Sequence, residues 1–317
     1  MNVIIREKIN RLYNRFMQKN ANWLFRGVLE TDPIPTNPDS ETILYCALDR
    51  SSCRQYITAV KSLLRYDNNF AVVAQSDGSL DSQCVREIVD HLPGIIVLSK
   101  DDMLQCIQDQ AGPELQKLIP SAEEYSLYTP VKIMYLKFLN VIFQFNGRKV
   151  IIIDSDLLFL RKPEFILDWA KAPYTHDFYS EGSNARAAVF HAMGFKFTYL
   201  DVANFSSGTI GVGGEVSKQE LIDIFSRIRE YDASLFYAWE IEQALWSIVM
   251  ATRENPINID DLREVYVGSG WRSYEELKAK AVIAHFAGAV RFNSFKYLRC
   301  AKGVFLDLSF RQPDVKP

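Results

Sequence analysis

Beyond residue 40, short apolar runs alternate with helical patterns. Residues 43–48, 70–74 and 95–98 read as strands, and residues 54–66 and 81–90 carry the helix period between them. This alternation predicts a parallel sheet covered by helices, an α/β domain. Thr129 and Pro130 read as the N-cap and first position of a further helix, which stops at Asn146-Gly147. That helix is apolar nearly all round, so it is expected to be buried. Lys132 near its start should then reach a partner or a cavity. Val150 to Ile153 follows as a fully buried strand and runs straight into Asp154-Ser155-Asp156. Ligands of open parallel sheets sit beyond the carboxyl ends of the strands.

The first 26 residues differ from the rest. Ile5, Ile9, Leu12 and Phe16 recur at helical spacing, with Arg11, Arg15 and Lys19 on an adjoining face. Residues 1–30 are read as an N-terminal amphipathic helix, which either packs on a protein surface or lies on anionic lipid. Three prolines mark 31–40 as a linker, 41–300 as the main domain, and 301–317 as a C-terminal tail.

Composition narrows the classes. Of 317 residues, 48% are hydrophobic and 24% charged, which excludes a disordered or collagen-like chain. The net charge of −3 gives nucleic-acid binding no support. Residues 1–26 nevertheless carry +5, against −8 for the remainder. Five scattered cysteines without a C-x-x-C pair fit a reducing compartment. No apolar run is long enough to span a membrane, and no secretory signal is visible, so a cytosolic location is expected.

Two aspartates at i and i+2 on a strand end repel each other unless a cation lies between them. Asp154 and Asp156 are therefore either ligands of a divalent metal or part of a solvated turn.

Four blocks in order resemble the glycosyltransferases of family 8, the glycogenin-like retaining enzymes of GT-A fold. They are residues 43–66, residues 130–163, the stretch Asn204-Phe205-Ser206-Ser207-Gly208, and residues 285–291 (HFAGAVR). The resemblance implies a GT-A, Rossmann-like domain that moves a sugar from a nucleotide-diphospho-sugar, UDP-sugar first among them, to an acceptor. It implies Mn2+ or Mg2+ on Asp154, Asp156 and His285. By the same likeness Ala47, Leu48 and Asp49 face the nucleotide, with Ser155. Lys132, Ser206, Ser207 and Gly208 approach the donor sugar or diphosphate. Gly288 and Arg291 line the diphosphate, and Glu242-Gln243 stand beside the reacting sugar.

The chain departs from the family pattern at four places. Ser206 replaces an asparagine, Glu242 an aspartate, Ala244 a glycine and Phe292 a proline. These leave the sugar open. In the acceptor region Tyr174, His176, Asp177, Tyr179 and Glu181 either face an acceptor or form a polar loop. A peripheral membrane contact through 1–26 would suit a lipid-linked acceptor.

Gly211 to Gly214 lacks the full dinucleotide fingerprint. Ser217 and Glu220 form a capping-box pattern. A strand ending in D-x-D also opens haloacid-dehalogenase-like phosphatases, with Asp260-Asp261 as a later acidic pair, but Leu158 does not fit that motif. A non-catalytic nucleotide-sugar-binding or scaffolding module is the remaining alternative.

Overall fold

The computed structural model describes residues 16, 19–120, 134–173, 176–182, 187–195, 205–238, 240–259, 265–266, 273–287 and 296–309. Among the described residues the strands are β1 Thr42–Leu48, β2 Ala71–Ser76, β3 Ile96–Leu98, β4 Lys149–Ile153, β5 Leu157–Phe159, β6 Phe178–Glu181, β7 Phe205–Val212, β8 Ile257–Asn258, β9 Val265–Tyr266 and β10 Ile283–His285. Seven of them form one sheet in the order β3-β2-β1-β4-β7-β6-β8, and β5, β10 and β9 form a second. Pairing is parallel from β3 to β4, then antiparallel through β7 and β6. The chain thus has the mixed α/β class, with a mostly parallel central sheet.

The apolar runs of β1, β2 and β4 follow from burial on both faces. Leu44, Val72, Ile151 and Ile153 point into one core, and Ile43, Val73, Val150 and Ile152 into the other. Helices α1 Cys53–Leu64 and α2 Ser82–His91 cover the first face. Helices α3 Lys100–Leu118 and α4 Met134–Phe145 cover the second. Beyond these come α5 Glu164–Lys171, α6 Lys218–Asp232, α7 Ile241–Ala251, α8 Tyr274–Lys280 and α9 Lys296–Ser309.

The strands read from the sequence fall within two residues of those observed. The start of the helix read from Thr129, with Lys132, lies outside the described residues. Its end holds: Gly147 takes a φ of +74°, a left-handed conformation open to glycine. Ser217 caps α6, its hydroxyl accepting from the Glu220 backbone N–H at 3.1 Å. Gly211 is a strand residue rather than part of a loop, and a Cβ there would overlap the Phe178 ring.

Three expectations meet a different structure. Segment 31–40 has no regular element, yet it is tied down. The Ile34 N–H donates to His91 O, Thr36 to Pro93 O and Asn37 to Phe70 O. Residues 301–309 continue α9 and bury Val304 and Leu308, so a boundary at 300 falls inside a packed helix. The region read as either an acceptor face or a polar loop contains β6, so the loop reading does not hold. There the buried Asp177 accepts from the Gly213 N–H at 2.9 Å, and Tyr179 stacks on Phe205. Polar letters hid a strand because β6 sits near the sheet edge, between β7 and the short β8.

Candidate active site

The D-x-D segment leaves β4 in a tight turn. The Asp154 N–H donates to Gly208 O on β7 at 3.0 Å, and the Leu157 N–H to Asp154 O at 3.4 Å. The chain then leaves the large sheet and enters β5 of the smaller one. This short strand pairs antiparallel with β10, placing His285 opposite Leu157. The Phe286 N–H donates to Asp156 O at 3.1 Å, and the Tyr297 hydroxyl donates to Ser155 O at 3.1 Å. Backbone pairing, rather than sequence proximity, thus carries His285 to the aspartates.

The side chains converge. His285 Nε2 lies 3.3 Å from Asp156 Oδ1 and 3.5 Å from Asp154 Oδ2. One ligand atom from each of the three residues lies within 4.8 Å of the other two. Asp156 is buried, while the Asp154 side chain is 35% exposed, so the cluster has an open side. Gly208 lies against the imidazole, and a Cβ there would overlap its ring. Two carboxylate oxygens and an imidazole nitrogen are a donor set suited to a divalent cation such as Mn2+. Without one, Asp156 and Asp154 hold a proton on His285. Burial pushes its pKa down, but the two carboxylates outweigh that and raise it to about 9.

Beside this cluster is a buried lysine. Lys137 on α4 reaches Asp154 Oδ1 at 3.0 Å and Glu242 Oε1 on α7 at 3.1 Å. Burial disfavours its charge, yet Asp154 and Glu242 together hold its pKa above the ordinary lysine value. Burial likewise raises the Glu242 carboxyl above the glutamate range, against the pull of Lys137. Asp154 goes the other way: Lys137 and His285 overcome burial and hold it low. Ser207 Oγ donates to Glu242 Oε2 at 3.1 Å. Three carboxylates therefore face one lysine and one imidazole.

Of the residues predicted from sequence, Asp154, Asp156, His285, Ser207, Gly208 and Glu242 come together here. Gln243 turns aside and donates from Nε2 to Phe205 O. Ser206 Oγ accepts from the Gly208 N–H at 3.2 Å, inside β7. Ser155 is buried in the turn. Ala47 and Leu48 end β1, the parallel neighbour of β4. Leu48 is buried, and its carbonyl accepts from Asp77 N–H. Asp49 caps its own turn, accepting from Ser52 N–H at 2.9 Å and Ser51 Oγ at 2.7 Å. Lys132, Gly288 and Arg291 lie outside the described residues.

Sequence reasoning missed Lys137. Its signal was a lone cation in the middle of an apolar helix, Leu136-Lys137-Phe138-Leu139. It also missed Asn140, one turn further on. Asn140 Nδ2 donates to the Tyr45 hydroxyl and to Gln75 Oε1, both at 3.0 Å, joining α4 to β1 and β2.

No protein-family profile matches the chain, and no curated protein matches it. Solved structures of similar course do exist. Bifunctional glycosyltransferase WbbM is 15% identical with a TM-score of 0.43, over 87% of this chain and 50% of its own. This chain therefore spans half the length of WbbM. Galactosyltransferase LgtC, solved with donor and acceptor sugar analogues, is 13% identical with a TM-score of 0.48, over 86% and 98%. Glucosyl-3-phosphoglycerate synthase from Mycobacterium tuberculosis, solved with Mn2+ and UDP, is 13% identical with a TM-score of 0.38, over 92% and 84%. Likeness at this level fixes neither activity nor ligand.

Proposed function

We infer that the protein is a metal-dependent glycosyltransferase of GT-A fold acting on a nucleotide-diphospho-sugar. The observation that carries this reading is the convergence of Asp154, Asp156 and His285 at the carboxyl end of β4, beside a buried lysine and a buried glutamate. Asp154, Asp156 and His285 would hold Mn2+ or Mg2+. When bound, that ion supplies positive charge where a departing diphosphate becomes more negative. Lys137 adds a second fixed cation in a water-poor setting, where such charge stabilises a transition state best. Its two ion pairs preset its position, so little reorganisation remains for the reaction itself.

Glu242 is the carboxylate nearest to Lys137 on the α7 side, and Ser207 fixes its second oxygen. It would either attack the sugar carbon or steady the charge that develops there. The second role suits a carboxylate already held by a lysine and a hydroxyl. Gln243, its amide bound to Phe205 O, would support Glu242 from the next position of α7. Ala47, Leu48 and Asp49 with Ser155 would contact the nucleotide. Ser206 and Gly208, with Lys132, Gly288 and Arg291, would face the donor sugar and diphosphate. Retention of configuration follows the family resemblance, and UDP is its first candidate base.

Thermal unfolding against UDP, GDP, CDP and TDP, each with Mn2+ or with EDTA, tests the reading. A ligand at about 100 times its Kd adds roughly 2.7 kcal/mol. A shift with one nucleotide that needs Mn2+ and disappears in Asp156→Ala is expected. No shift with any of the four overturns the donor assignment. A shift without turnover of any sugar donor would make the protein a binding module instead.

A further inference from the structure

The N-terminal turns and the last described helix meet in a groove of about 500 Å3. Trp23 and Leu306 line it and are 61% and 60% exposed. Large apolar side chains this open are uncommon in the described fold, and these two share one groove. Arg26 and Lys302 line it as well, with the Arg26 guanidinium 4.5 Å above the Trp23 ring. The outer face of α9 repeats the pattern. Arg299, Lys302, Leu306 and Ser309 are its exposed positions, spaced along one side of the helix. Glu30 is the acidic residue at the groove. A basic, aromatic-bearing face thus stands out on a chain whose net charge is −3.

We propose that this face docks on an anionic lipid bilayer, with Trp23 and Leu306 entering the headgroup region and Arg26, Arg299 and Lys302 against lipid phosphates. Tryptophan favours the membrane–water boundary because its ring is apolar and its N–H polar. Basic side chains keep their heads at the phosphates while their stems cover apolar surface. The charge argues against a second copy of the chain. A two-fold contact would press the same arginine and lysine heads together. The adjoining sequence extends the pattern, since residues 1–26 carry +5. The proposal does not depend on the donor assignment.

Sedimentation of the full chain with vesicles is the test. Vesicles of phosphatidylcholine alone are compared with vesicles that also hold phosphatidylglycerol, at low and high salt. Binding is expected only to the anionic vesicles and should weaken with salt. Each removed basic residue should lower partitioning roughly fivefold, so Arg26→Gln with Lys302→Gln should lower it about twentyfold or more. Trp23→Ala with Leu306→Ala should lower it as strongly. All four positions are exposed, so unfolding midpoints should stay at the wild-type value. Absence of binding by the wild type overturns the proposal. So does wild-type binding by both double variants, and so does a concentration-dependent dimer that the variants abolish.

Discussion

Replacing Lys137 with methionine isolates the electrostatics of the candidate site. The side chain is 3% exposed and pairs with Asp154 at 3.0 Å and Glu242 at 3.1 Å. At an effective dielectric of about 20, each contact attracts by about 5 kcal/mol. Desolvation of the three charges cancels most of that, so the pair adds little net stability. Breaking it is a different matter, because the partners stay buried. Asp154 is partly open and can rehydrate, whereas the Glu242 side chain is 1% exposed and cannot. Loss of one partner of a buried pair costs about 3 to 5 kcal/mol. We expect Lys137→Met to cost about 3 kcal/mol, since Glu242 escapes part of the penalty by taking up a proton. Glu242→Gln alone should cost about 1 kcal/mol or less, because it keeps the Ser207 contact and Lys137 keeps Asp154. In the double variant the glutamine should restore about 2 kcal/mol, a coupling typical of residues in contact.

Urea unfolding of the four proteins at pH 7 in EDTA measures this cycle, and the lysine variant should lose about 1 M in midpoint. A second sign is available. With Lys137 gone, the folded pKa of Glu242 rises further above its unfolded value, so stability must fall as pH rises above the ordinary glutamate range. A loss below about 1 kcal/mol, or no recovery with glutamine, would refute the buried triad.

Gly208→Ala should force the His285 ring aside, costing about 1 to 3 kcal/mol and abolishing any Mn2+-dependent thermal shift; a retained shift would mean that His285 holds no metal. Asn140→Leu should cost about 2 kcal/mol by stranding the Tyr45 hydroxyl and Gln75 Oε1, read by urea unfolding against Gln144→Leu as control. Lys61 is buried against Thr31 and His91, and burial lowers its pKa to about 8. The unfolded chain therefore binds more protons between pH 8 and about 10.4, so wild-type stability relative to Lys61→Met should rise with pH across that window and lie flat just below it. A flat difference throughout would show that Lys61 keeps its ordinary pKa.

How far the sequence reached can be argued from one helix and one histidine. Strands β1, β2 and β4 were legible because both of their faces are buried, which leaves continuous apolar runs that tolerate little else. The turn at Asp154 was legible because two acids directly after such a run break the pattern. His285 was not legible from spacing. It meets Asp156 across 129 positions only because β5 and β10 pair, and both strands are three residues long. The family resemblance supplied it, not periodicity.

Lys132 and Lys137 divide on a different ground. Both lie in an apolar stretch, and the sequence reading singled out Lys132, near the start of the predicted helix, as the one that reaches a partner or a cavity. Lys137 sits in mid-helix, where apolar patterning makes a lone charge look like an exception to be tolerated. The physics runs the other way: a cation costs most where the helix is most buried, so it persists there only if opposite charge surrounds it. Asp154 comes from the end of β4 and Glu242 from the first turn of α7, and neither is a sequence neighbour of the lysine. The rule to draw is that the deepest charge in an apolar helix deserves the first search for partners, ahead of the charge nearest its end.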